Sequence, residues 1–378
     1  LVESVVGRVP LARMATHAHF LDGGGNAIDE GIALYFPSPK SYTGESVLEL
    51  QGHGGPVVLR ALLRRCLELG CRLARPGEFT ERAYLNGQLD LAEAEAVADL
   101  IEAGSEEAAR SAARTLTGVF SARVQDLVSG LIELRMHVEA CIDFPEEEID
   151  PADRNQQAVK LAALVGSLAD LMKDARQGAV LREGLTVVLI GRPNVGKSSL
   201  LNRLAGEDLA IVTPIAGTTR DQVRATVHLN GIPIHLIDTA GLRETEDPVE
   251  KIGIERTWQA IAKAGAALLI VESGETARRT EAEILSRLAP DLPIAWITNK
   301  IDLYQGAQVS RETRREGRNA SLSVSAMTGE GIDALRDWLL EVAGWVPGSE
   351  GVFMARERHL AALRDAAYHL GAAGSQGN

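Results

Sequence analysis

Aromatic residues make up only 4% of this 378-residue chain. Its cores must therefore be built from aliphatic side chains, and the abundance of Leu and Ala leans towards helix. Cysteine is scarcer still. Cys66, Cys71 and Cys141 share no metal-ligand spacing, so the expectation is reduced cytosolic thiols and no zinc or disulfide framework. Positive charge is outweighed: 39 Lys and Arg face 52 Asp and Glu, a formal net charge of −13. With no overall basic field, any RNA contact needs a local patch or a partner protein. No apolar run approaches the roughly 18 residues that would span a bilayer, so no membrane partner is expected. The opening Leu1-Val2-Glu3-Ser4 has neither an initiator Met nor a basic leader; it reads as a truncated start of a cytoplasmic protein without a signal peptide.

At this length two or three domains are expected. Residues 1–85 alternate short β-type runs (Ile32 to Phe36, Val47 to Gln51) with Pro/Gly turns and one helical stretch, Pro56 to Leu69, with Val58, Leu59, Leu62, Leu63 and Leu67 at helical spacing. That is a small α+β domain. From Leu89 to about Asp143 the texture is Ala/Glu/Leu/Arg with apolar residues at i, i+3, i+4. It breaks at Phe144-Pro145 and resumes from Gln156 to about Arg182, as a bundle of long helices. Residues 184–345 alternate strands and helices, as a doubly wound α/β domain does. Helical texture returns from Phe353 to Leu370, and residues 371–378 read as a tail. The economical arrangement inserts the α/β domain (184–345) between helices of one bundle, 86–183 and 346–378.

The stretch that organises the chain is 186–199. Thr186 to Ile190 form a strand-type run that enters a loop with Gly191 and Gly196. Lys197, Ser198 and Ser199 follow, then Leu200 to Leu204 in helical rhythm. Strand, G-x-x-x-x-G-K-S loop, helix is the order a phosphate cradle needs. Glycines let backbone N–H groups from Asn194, Val195 and Gly196 turn inward, and the helix start adds its positive end. Lys197 reaches the β- and γ-phosphates, and the Ser198 hydroxyl holds Mg²⁺.

Asp238-Thr239-Ala240-Gly241 follows the run Ile234 to Ile237. The carboxylate holds Mg²⁺ through water, and Gly241 offers an N–H to the γ-phosphate. Asn299-Lys300-Ile301-Asp302 follows the run Ile294 to Thr298. The Asp302 carboxylate accepts from N1–H and the 2-amino group of guanine, which adenine cannot match; the Lys300 stem covers the base plane. Ser325-Ala326-Met327, after Ser321 to Val324, offers a backbone N–H to guanine O6. Between these lies a switch-type loop, Thr213-Pro214-Ile215-Ala216-Gly217-Thr218-Thr219-Arg220-Asp221, with Thr219 as second protein ligand to Mg²⁺. The substrate is GTP, on a domain that resembles the Ras-like GTPases.

Leu242 stands where many such GTPases carry a water-orienting glutamine, so either hydrolysis is poor or another group orients the attacking water. The loop from Arg243 to Glu250 is rich in carboxylates that can act through a bridging water. Arg220 could act as a finger in cis, but it follows the Mg²⁺ threonine, so pairing with an acid such as Asp221 or with a partner subunit is the better reading. Asn194 can instead ligate a monovalent cation, K⁺, beside the β- and γ-phosphates and so supply fixed positive charge.

The flanks carry a further resemblance. Tyr42-Thr43-Gly44-Glu45-Ser46 through Gly52-His53-Gly54-Gly55-Pro56, then Arg75-Pro76-Gly77-Glu78-Phe79-Thr80-Glu81-Arg82-Ala83, Leu85-Asn86 and Leu89 to Ala96, resemble the signatures of the MnmE (TrmE) family of tRNA-modification GTPases. The resemblance spans essentially the whole chain. It implies a multidomain α+β and α/β protein: an N-terminal tetrahydrofolate-binding and dimerising domain, a helical bundle, and an inserted Ras-like P-loop GTPase domain. It implies that Asn194, Thr213, Ile215 and Thr218 coordinate K⁺, that K⁺ drives GTPase-domain dimerisation, and that Glu250 orients the water. It implies folate contacts at Glu49 and at Gln88, where the family carries a lysine. The family acts on the wobble uridine of tRNA as a homodimer, with a flavin (FAD) protein, MnmG, in a heterotetramer. The chain begins after the family's opening strand and ends before its C-terminal Cys-x-Gly-Lys. On the GTPase motifs alone, a ribosome-assembly GTPase of the Era or Der type stays open, as does a folate-binding scaffold with a slow timer.

Overall fold

The computed structural model describes residues 1–143, 151–192, 194–205, 223–238, 258, 262, 264–272, 285–303, 314–346 and 352–376. Within it, Leu1–Ala98 and Asp99–Asn378 form two compact units.

The first unit holds α1 (Val2–Val6), β1 (Thr16–Leu21), β2 (Ala27–Phe36), β3 (Val47–Gln51), α2 (Pro56–Glu68) and α3 (Glu78–Leu85). Its turn from β1 to β2 is set by Asp22, whose Oδ1 accepts from the N–H groups of Gly24 and Asn26, both at 2.8 Å. The antiparallel sheet runs β1-β2-β3. Strand alternation sends Ala18, Phe20 and Ala33 inward, where they meet Val5, Val6 and Leu62. Gly31 lies so close to the Gln51 carbonyl that a Cβ would overlap it, which keeps β2 and β3 in register.

The expectation of one helix here is corrected, because α1 and α3 are helices too. Neither has an apolar stripe long enough to register: α3 buries only Glu78 and Ala83. The apolar stripe on α2 is also wider than its core face. Val58 and Leu62 pack inward, while Leu59, Leu63 and Leu67 are exposed.

The division between units falls inside α4 (Leu91–Glu102). The second unit continues with α5 (Glu106–Leu116), α6 (Val119–Asp143) and α7 (Pro151–Glu183). Ser105 caps α5, its Oγ accepting from Ala108 N–H at 3.1 Å. α7 begins at Pro151, earlier than the periodicity predicts, because proline is tolerated at the first helical position.

The sheet of this unit comprises β4 (Leu185–Ile190), β5 (Val223–Leu229), β6 (Ile232–Asp238), β7 (Ala266–Glu272), β8 (Ile294–Asn299), β9 (Arg314–Glu316) and β10 (Asn319–Ser323), in the order β5-β6-β4-β7-β8-β10-β9. The inner pairings are parallel and both outer ones antiparallel. Among the described residues, α8 (Lys197–Ala205) and α9 (Ile332–Ala343) pack with it. One face packs Val187, Leu189 and Leu236 with Leu200, Leu204, Leu335 and Trp338, continuous with Ala108 and Ala112 of α5 and Leu181 of α7. The other face packs Val188, Ile190 and Leu269 with Leu288 and Leu292.

The tight turn between β5 and β6 uses left-handed Asn230 and Gly231. The Gly231 carbonyl accepts from Ser105 Oγ at 2.9 Å, so the hairpin tip rests on the start of α5.

The chain returns through a buried extended segment, where Phe353 packs on Phe120 with centroids 4.9 Å apart. Gly178 of α7 admits the Phe353 carbonyl where any Cβ would collide. α10 (Glu357–Gln376) then packs on α7. Phe353 is therefore not helical, and the expected tail is helix as far as Gln376. Ala372 and Ala373 carry helical propensity across Gly371 and Gly374.

Candidate nucleotide-binding site

Strand ends put the motifs together. β4 lies between β6 and β7, at the point where the strand order reverses, so a crevice opens beyond the carboxyl ends of the parallel strands. The phosphate loop leaves β4 there. Asp238, the last residue of β6, pairs in register with Leu189 of β4. Asn299 closes β8, and Ser325 lies just past β10.

Within the phosphate loop, Asn194 is left-handed (φ 68°) and exposed, while Val195 is buried. Gly196 has φ 96°, and a Cβ there would overlap Asn299 Nδ2. Only glycine satisfies both conditions. α8 starts at Lys197, its first turn closed by Leu200 N–H donating to Gly196 O at 2.8 Å. Lys197 is buried at 7% exposure, and its Nζ donates to the carbonyls of Gly191 (2.5 Å) and Arg192 (3.0 Å). Ser198 and Ser199 are exposed in the first turn of α8.

Asn299 joins the loop after β4 to the loop after β10. It is 1% exposed; its Nδ2 donates to Val195 O at 2.8 Å, and its Oδ1 accepts from Ala326 N–H at 3.2 Å. Lys300 is left-handed (φ 63°), which turns the chain into the short 3₁₀ turn Ile301–Leu303. Ile301 is buried beneath it. Asp302 Oδ1 accepts from Ser325 Oγ at 2.5 Å, and Ser325 Oγ accepts in turn from Thr328 N–H at 3.1 Å. The carboxylate is thus aimed by a buried serine, a link the spacing of the motifs does not reveal. Met327 is exposed.

The Ser198 hydroxyl, at the helix start, is a hard oxygen donor of the type Mg²⁺ accepts. Thr213, Pro214, Ile215, Ala216, Gly217, Thr218, Thr219, Thr239, Ala240, Gly241, Leu242 and Glu250 lie outside the described residues, as does the side chain of Asp238.

In the first unit, Glu49 is on the exposed side of β3, opposite Leu34. Gln88 lies against Gly44, whose left-handed backbone (φ 75°) carries the loop over it. No hydrogen bond or ion pair joins Glu49 to Gln88 among the described residues. The group that sequence reasoning missed is Glu78. It is 5% exposed, yet accepts from Arg72 (2.5 and 2.8 Å) and from the Arg75 N–H (2.8 Å), with Arg82 Nε at 3.4 Å. The Arg72 guanidinium, then the backbone N–H, hold its carboxyl down to about 2. Its signal was present in the arginines at 72, 75 and 82 that flank Glu78 and Glu81, of which only Glu78 is buried. All three cysteines are free, and no cluster of metal-ligating side chains occurs among the described residues.

A phosphate loop and an Asn-Lys-x-Asp turn held together through one buried asparagine, on a parallel-rich sheet, define a P-loop protein of the GTPase class. A family model described as GTP-binding protein TrmE N-terminus matches residues 2–88, and one described as MnmE helical domain matches residues 91–378. The chain belongs to the MnmE family. Among curated relatives, "tRNA modification GTPase MnmE" of Thiobacillus denitrificans is 57% identical over 99% of this chain and 82% of its own length. Its namesake in Burkholderia lata is 55% identical over 98% and 81%. Among solved structures, a variant of Aquifex aeolicus Era bound to GDP.AlF4⁻ is 26% identical, covering 47% of this chain and 64% of that one, with a TM-score of 0.32. Family membership sets aside the ribosome-assembly reading. No helix is long and apolar enough to cross a membrane among the described residues.

Proposed function

We propose that this chain is a K⁺-activated GTP hydrolase that serves tRNA modification at the C5 position of the wobble uridine, working in the cytoplasm with an MnmG-type flavoprotein. The observation that carries the reading is Asn299, which ties the Val195 carbonyl of the phosphate loop to the Ala326 N–H of the base loop. It is supported by relatives named as tRNA modification GTPases over nearly the full chain.

In this reading Asn194 to Ser199 cradle the phosphates, with Lys197 on the β- and γ-oxygens. Mg²⁺ is held by Ser198 and Thr219, with Asp238 acting through water and the N–H groups of Thr239, Ala240 and Gly241 alongside. The base lies on Lys300, read by Asp302 and by the loop Ser325-Ala326-Met327, with Ile301 as the floor. The segment from Thr213 to Thr219 closes over the γ-phosphate. Leucine at 242 cannot orient water, so Glu250 takes that duty. K⁺ bound by Asn194, Thr213, Ile215 and Thr218 supplies the charge an arginine finger otherwise gives. Two GTPase domains meet when it binds, and hydrolysis is a conformational drive instead of the bond-forming chemistry. Residues 1–85 hold a tetrahydrofolate derivative with Glu49 and Gln88 and form the constitutive dimer. Residues 86–183 and 346–378 form the helical domain, and 184–345 the GTPase domain.

The test is GTP turnover by purified protein in K⁺ and in Na⁺ over a range of protein concentrations. The expected result is a rate far higher in K⁺ that grows with concentration, with Asn194→Ala removing the K⁺ effect but not nucleotide binding. Equal rates in both salts at every concentration overturn the proposal.

A further inference from the structure

Arg203 belongs to no recognised motif, yet it reaches from the last turn of α8 to the base loop. Its Nε donates to Ala326 O at 3.0 Å, and its second terminal nitrogen donates to Met327 O. Gly329, left-handed at φ 91°, lies over the guanidinium with room for it. A planar fork that engages two successive carbonyls is a task for arginine and not for a point charge.

The rest of the loop is already committed. Ser325 N–H donates to Glu330 O (2.9 Å), Gly329 N–H to Ser325 O (2.9 Å), and Ala326 N–H to Asn299 Oδ1 (3.2 Å). The Met327 N–H has no acceptor among the described residues, and it shares a planar trans peptide with the Ala326 carbonyl that Arg203 holds. Fixing that carbonyl fixes the direction of the N–H. The next peptide repeats the pattern. Arg203 holds the Met327 carbonyl, whose peptide partner, the Thr328 N–H, orients Ser325 Oγ, and Ser325 Oγ aims Asp302.

We infer that Arg203 is a positioning residue for guanine recognition: from the phosphate-binding helix it sets both the N–H presented to the base edge and the carboxylate that reads N1 and the 2-amino group. The inference rests on the guanine-nucleotide reading above.

The test is a cycle of equilibrium affinities on the full chain, wild type against Arg203→Ala. The ligands are GDP, 6-thioguanosine diphosphate (a poor acceptor at position 6), inosine diphosphate (no 2-amino group) and ADP. Wild type is expected to favour GDP over both guanine analogues. In Arg203→Ala, GDP weakens about tenfold, as loss of a charge-assisted pair of hydrogen bonds implies. The two analogues weaken less, so both penalties shrink. Arg203→Lys, with a single donor nitrogen on a similar stem, lies between, and carries the test if the alanine variant does not fold. A loss equal for GDP and both analogues, or no loss, overturns the inference. A wild type that binds ADP as tightly as GDP overturns the guanine reading itself.

Discussion

The Asn299 side-chain amide donates to the Val195 carbonyl at 2.8 Å, joining the G-x-x-x-x-G-K-S loop to the Asn-Lys-x-Asp turn. Both ends are buried, so neither Val195 O nor the Ala326 N–H can turn to water if the amide goes. Asn299→Ala is expected to destabilise the second unit by about 2–4 kcal/mol, since each buried polar group left unpaired costs about 1–3 kcal/mol. Nucleotide affinity should fall about 100-fold or more, because both halves of the site relax at once. Asn299→Asp keeps the acceptor for Ala326 but sets a buried carboxylate against the Val195 carbonyl, so it should cost at least as much as the alanine change. Thermal unfolding and equilibrium binding of GDP measure both effects; wild-type affinity in the alanine variant would remove this link from the site.

Gly196 answers to two constraints that a side chain violates together. Its φ of 96° is outside the range of L-residues, and its missing Cβ is filled by the same Asn299 amide. Gly196→Ala should therefore abolish measurable nucleotide binding, by a clash and by backbone strain of about 1–2 kcal/mol. Gly344, also left-handed (φ 79°) but with open space at its Cβ position, supplies the control. Gly344→Ala should show the strain in its unfolding temperature and leave GDP affinity within about twofold. Comparing the two titrations separates conformational strain from contact with the site.

The residues just discussed show how far the sequence carries. Gly191, Gly196, Lys197, Asn299 and Asp302 were legible because phosphate and guanine demand fixed residue types at fixed offsets from a strand. Arg203 and Ser325 Oγ as an aiming group were not, since their partners lie on other elements and no period links them. The same holds for helices. α6 and α7 follow from apolar periodicity, whereas α1 and α3 are too short to have one. α3 is held by the Glu78 ion pairs instead of by an apolar face, and α10 overrides its glycines by packing on α7.

Glu78 gives the first unit a pH dependence with a definite sign. Arg72 and the Arg75 N–H hold its carboxyl at about 2, well below an ordinary glutamate. A group depressed on folding adds stability above its unfolded value and loses it as pH falls towards the folded one. The stabilisation is therefore complete above about pH 4.5 and is lost progressively from there down to about pH 2. Glu78→Gln should lower the melting temperature of the first unit at neutral pH and flatten its fall across that acid window. Melting curves of both proteins from about pH 2.5 to about pH 7 check it; parallel acid profiles would mean that another carboxylate sets the dependence.

Asp99 pins the two places where the chain passes between the helices and the sheet of the second unit. Its Oδ1 accepts from Arg182 Nε at 3.0 Å, two residues before Gly184, and from an Arg356 terminal nitrogen at 3.3 Å, one residue before α10. The carboxylate is buried and both guanidinium groups are about a quarter exposed. Asp99→Asn removes the charge and leaves two cations facing each other across a neutral amide. The expected loss is about 2–4 kcal/mol of stability, because breaking a buried pair strands its partner charges. Replacing all three groups by Leu or Met should recover much of that loss, since desolvation is then avoided as well. If the three sites act as one unit, the single changes at 99, 182 and 356 will sum to more than the triple change. Simple additivity in urea unfolding would show that the two crossings are held independently.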